Sequence, residues 1–209
     1  MQRKPVAGLY MGMAFAVGFA VAAAVLGVRG TDAESTRMAL RLTARWSFLP
    51  FWLAYAGRAM AKLFGPAFAL LARRGRELGL AFASALLVHV GLLVWLYWVT
   101  QRLPLGGTLF VFFAIGLFWT YLLMALSFGR LSAALGPRLW RLLRIVGMNY
   151  ILIAFARDFV LSVLHTNVAH HAAWYLLGYV PFAGLCVAAP CLSLAATLHR
   201  GWGMRRAAA

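Results

Sequence analysis

His89 stands in the middle of the apolar run Leu78–Val99 (LGLAFASALLVHVGLLVWLYWV). Such a run is long enough to cross a bilayer, which takes roughly 20 apolar residues. A titratable imidazole at that depth costs free energy unless it is paired or ligates something. Two chemistries follow. A ring nitrogen can donate its lone pair to an iron or another metal, or a neutral ring can satisfy itself by hydrogen bonding to a hydroxyl or carbonyl within a helix bundle. The histidines beyond it are His165, His170, His171 and His199, so the first five apolar runs offer one imidazole among them.

Other reactive side chains are sparse. Cys186 and Cys191 share one apolar run at a spacing that puts them on different helix faces. They read as free thiols. The chain has four acidic residues, and three of them (Asp32, Glu34 and Glu77) fall outside or at the edge of apolar runs. Asp158 lies nearer to membrane depth and adjoins Arg157. That pair could serve a small-molecule transporter as a polar gate. Gly-rich phosphate loops, CxxC and HExxH are all missing, and paired-carboxylate chemistry lacks its acids.

Hydrophobic residues make up 64% of the 209, and 11% are charged. A soluble domain carries about a quarter charged residues. The mean hydropathy of +0.84 agrees with an integral membrane protein. The formal charge of +16 does not point to nucleic acid, because the basic residues sit between apolar runs and there is no soluble basic domain. They fit a topology signal instead.

Six runs predict an all-α membrane protein of six transmembrane helices in a single domain over residues 1–209. The expected spans are 8–28, 42–60, 77–99, 107–128, 140–162 and 173–197. The first is longer than a typical signal-peptide core and lacks a clear cleavage site, so it reads as a retained span. Arg3 and Lys4, then Lys62 to Arg76, then Arg130 to Arg141, and finally Arg200 to Arg206 all fall on one side of such a bundle. The Lys/Arg bias places that side, with both termini, in the cytoplasm. Ala14, Gly18 and Ala22 are four apart, a spacing that lets helices approach closely. Pro50 and Pro190 fall inside spans, where kinks are expected. Gly65–Leu71 reads as a short helix on the inner surface. Tryptophans near the span ends fit an interfacial belt.

The segment Arg37–Val160 resembles the ferric-reductase-like transmembrane domain family, in particular its small bacterial branch. That branch includes the haem-binding membrane subunit of the periplasmic methionine sulfoxide reductase system. Thr43, Ala44 and Arg45 stand where the family has Thr-Gly-Arg. The run RRGRELGLAFASALLVHVGLLVW (Arg73–Trp95) repeats its basic cluster, Leu-Gly, and histidine ten residues past the glycine, here Gly79 and His89. Leu135, Gly136 and Trp140 match the start of its fifth span.

The resemblance implies a b-type haem held by histidines of the third and fifth spans. It also implies electron transfer with a separate redox partner or a quinone, in a bacterial-type inner membrane. The lipid bilayer is the other partner. The loops have no room for a flavin or nicotinamide domain, so any oxidoreductase activity needs a second polypeptide. By the same resemblance His89 is the haem axial ligand, and Arg45 contacts a haem propionate or a quinone head group. Two expected histidines are replaced by Arg144 and Arg157. Arginine stays protonated and offers iron no lone pair. A second ligand then has to come from elsewhere, with His170 and His171 as candidates and Met148 as a thioether. The alternative is a haem-less relative that acts as a structural or interaction protein.

Overall fold

A computed structural model describes residues 4–103, 105–128, 135–164 and 173–207. Among these residues the regular secondary structure is all helical. The helices are α1 (Lys4–Arg29), α2 (Ala33–Phe64), a 3-10 turn (Pro66–Phe68), α3 (Ala69–Arg73), α4 (Gly75–Thr100), α5 (Gly107–Phe128), α6 (Gly136–Leu164) and α7 (Ala173–Ala207). Five of them are long and apolar enough to cross a membrane: α1, α4, α5, α6 and α7. They expose large apolar side chains, among them Phe118 at 60% and Ile153 at 57%. Surfaces of that kind belong against lipid. The second expected span lies within α2, whose 32 residues also carry Glu34, Arg37, Arg41, Arg45, Arg58 and Lys62. Those charges lower its hydropathy below that of the other five.

Local chemistry sets the helix ends. Gly30 has φ 96° and closes α1, a conformation glycine adopts without a Cβ clash. Asp32 then caps α2. Its Oδ1 accepts from the backbone N–H of Glu34 (2.8 Å) and Ser35 (3.0 Å), and Ser35 Oγ donates to Oδ2 (2.9 Å). These donors hold the Asp32 carboxyl below its ordinary range, the Ser35 N–H contributing most. At the other end of α5, Arg76 donates from Nε (3.1 Å) and a terminal nitrogen (2.6 Å) to the Ser127 carbonyl. A cation there satisfies an orphan carbonyl and complements the helix dipole.

The contacts divide into two compact units, residues 1–51 with 76–151 and residues 52–75 with 152–209. In the first unit α4 is the most enclosed span, with half of its apolar window buried. Lipid tails are as apolar as leucine, so close packing and interhelical hydrogen bonds hold such helices together. The α1 face Ala7, Ala14, Gly18 and Ala22 is buried, and small residues there let two neighbours approach. Trp46 donates its indole N–H to the Ala14 carbonyl at 2.8 Å, and Ser84 Oγ donates to the Met11 carbonyl at 3.0 Å. A Cβ on Gly18 would stand 3.3 Å from Trp46 and 3.6 Å from Val88. Further along, Gly147 of α6 is pressed against α5, where an added Cβ would meet Leu123 and Trp119 at 2.9 Å. Tyr150 donates to the Phe112 carbonyl at 3.0 Å.

In the second unit the end of α2 meets α7 through Trp52, whose indole donates to the Leu185 carbonyl at 2.8 Å. Phe159 of α6 is 1% exposed and packs on Phe182 with ring centroids 5.2 Å apart. Helix α2 runs through Pro50, and α7 runs through Pro181 and Pro190.

Candidate functional site

The site is built on the inner face of α2. Thr36, Ala39, Leu40, Thr43, Ser47 and Phe51 are buried at helical spacing. Arg37 and Arg41 lie on the exposed side. This arrangement gives α2 a buried row of small hydroxyls within an otherwise apolar bundle. Thr43 is fully buried. Its hydroxyl can donate to the Ala39 carbonyl at 2.9 Å or to the Leu40 carbonyl at 3.2 Å.

That hydroxyl lies 3.2 Å from His89 Nδ1 on α4. The Leu40 carbonyl also interacts with the imidazole. His89 is half-buried, while Val88 beside it is 7% exposed and Ala85, one turn earlier, is fully buried. The Thr43 hydroxyl of α2 therefore engages the ring at Nδ1. A neutral imidazole uses one nitrogen as donor and the other as acceptor. With Nδ1 directed at α2, Nε2 is the nitrogen left to face a ligand.

Arg45 lies two residues beyond Thr43 on α2 and is half-buried. Arg144 and Arg157 on α6 are half-buried as well, and Arg157 with Asp158, Leu161 and Ser162 lines an open concavity of about 280 Å³. His170 and His171, the candidates for a second ligand, lie outside the described residues, as does His165. Among the described residues no three His, Cys, Asp or Glu side chains come together as a metal-binding group. Cys186 and Cys191 are free thiols, the first buried and the second exposed.

Two features were not legible in the sequence. Ser84 and Trp95 lie on the same span as His89, yet its partners come from α2. Thr43 entered only through its place in a motif. Glu77, placed by sequence at the edge of a span, is 3% exposed in the first turn of α4. Its Oε2 is buried with no hydrogen-bond partner among the described residues. Nothing in the spacing of Glu77 along the sequence announces its burial. Comparison of the chain with family models, with curated proteins and with solved structures found no match.

Proposed function

We propose that this chain is a six-span membrane subunit of ferric-reductase-like architecture, in a bacterial-type inner membrane with both termini cytoplasmic. In this reading it carries electrons by way of a b-type haem held at His89. The observation that carries the reading is the contact of Thr43 and Leu40 with the His89 imidazole. A metal-bound histidine needs its other nitrogen held by a second group, which fixes the tautomer and the ring plane. Thr43 supplies that hold at Nδ1, which makes Nε2 the nitrogen that would take iron in this reading. Arg45, two residues from Thr43 on the same helix, is the candidate cation for a propionate or a quinone head group.

The donor set fits a haem with one protein ligand from the described residues. It does not fit the usual bis-histidine form, because Arg144 and Arg157 have no lone pair to give. A second ligand would have to come from elsewhere, and the candidates His170 and His171 lie outside the described residues. When bound, the haem would supply one-electron transfer between a separate redox partner or quinone and an acceptor. The residues of this chain orient the imidazole and shield it between α2 and α4.

A second reading is a haem-less scaffold that acts as a structural or interaction protein. Its supporting observation is the same pair of oxygens, since a neutral histidine bonded to them needs no ligand. The test is a reduced-minus-oxidised spectrum of the purified protein in detergent, for wild type and His89→Ala. Soret and alpha bands that vanish in His89→Ala support haem at this residue. A well-folded wild type without these bands sinks the haem reading and leaves the scaffold.

A further inference from the structure

The segment that joins α2 to α4 carries exposed apolar and cationic residues close together in sequence. No Asp or Glu occurs between Glu34 and Glu77. Arg58 and Lys62 are exposed and one helical turn apart on α2. Arg73, at the end of α3, is exposed too. Phe64 and Leu70 stand between these cations in sequence at 57% and 61% exposure.

The segment is fixed in place. A Cβ on Gly57 would lie 3.0 Å from Leu71 Cβ and 3.2 Å from the Leu71 carbonyl carbon, so α3 folds back directly on α2. Phe64 and Phe68 pack with ring centroids 5.8 Å apart, and the Arg74 N–H bonds the Leu70 carbonyl at 2.9 Å. Leu71 meets Gly57, so Arg73 lies two residues from that contact on one strand of the fold-back and Arg58 one residue from it on the other. Basic groups beside exposed apolar groups match a surface whose outer layer is anionic and whose next layer is acyl chain.

We propose that Arg58, Lys62 and Arg73 bind the phosphate of an anionic phospholipid, with Phe64 and Leu70 against its acyl chains, on the cytoplasmic leaflet. This is independent of whether haem is present. The experiment reconstitutes the full chain in bilayers of phosphatidylcholine mixed with phosphatidylglycerol. It then measures by native mass spectrometry which lipid stays bound after extraction. Wild type should retain phosphatidylglycerol in preference. A basic residue near an anionic surface contributes roughly a fivefold preference, so Lys62→Gln with Arg73→Gln should lower the retained ratio by about 25-fold. Arg138→Gln with Arg141→Gln removes the same charge from exposed positions at the start of α6 and should leave the ratio within about twofold of wild type if the site is specific. Equal losses in the two double variants would make net charge the cause and overturn the proposal. So would a wild type that retains both lipids alike.

Discussion

Two titratable side chains on α4 meet opposite fates. His89 is half-buried, and α2 provides a hydroxyl and a carbonyl for its ring. Glu77, twelve residues earlier and about 18 Å along the axis at 1.5 Å per residue, is 3% exposed with one carboxyl oxygen unmatched. A buried polar group costs little when it is hydrogen-bonded and about 1–3 kcal/mol when it is not. Position offsets part of that cost for Glu77. It sits in the first turn of its helix, where free N–H groups and the helix dipole favour an acid. His89 lies far from either helix end and depends wholly on a neighbouring helix. The lesson is that one helix can carry two polar groups by two means, one from its own backbone and one from tertiary packing.

The largest expected effect tests the packed end. His89→Ala removes the ring from between α2 and α4 and should destabilise the protein by about 2 kcal/mol, read from unfolding in detergent. Thr43→Val should cost less, because the Thr43 hydroxyl has its own helix carbonyls to bond. The double variant separates the contact itself. Interhelical hydrogen bonds in membranes couple by roughly 0.6 kcal/mol, at most about 1.7. Strictly additive single and double variants would mean that the 3.2 Å contact carries no energy.

The second test inverts the sign. Glu77→Leu removes an unmatched carboxyl from a buried position and should stabilise by about 1 kcal/mol, or leave stability unchanged. Marked destabilisation would show that Glu77 has a partner in the membrane, such as water, an ion or another chain, and the contrast with His89 would collapse.

The smallest effect uses a carboxylate with all its donors. Asp32 is held below its usual range by the Ser35 N–H and hydroxyl and by the Glu34 N–H. Its charged form therefore stabilises the start of α2 above the ordinary value of 3.8, and that contribution is lost as pH falls through the lower folded value. The stability difference between wild type and Asp32→Ala should shrink as pH drops below about 4. A difference that stays constant to pH 3 would mean that the cap acts through shape and not charge.

Much of the fold was legible because helix formation and lipid exposure are local properties. Each of the six expected runs lies within or closely overlaps a helix, and the ends at Gly30 and Asp32 follow from short-range backbone chemistry. The small-residue spacing of α1 also foretold its buried face, since one helix face is fixed by a 3.6-residue period. The second run shows where composition stops. Its apolar centre was recognisable, yet α2 extends well beyond it into charged residues, and it falls below the hydropathy of the five clear spans.

The sequence by itself determined that this is a helical chain with long apolar runs, an isolated imidazole within one of them, and a basic turn free of acids. Those properties depend on neighbours a few residues away. Only the tertiary structure decided that Thr43 and Leu40 meet His89, that Glu77 is buried, and that Leu71 closes on Gly57. Each of those depends on the register of two helices, or of a helix and its returning turn. Register is set by the summed packing of both faces and by no single residue.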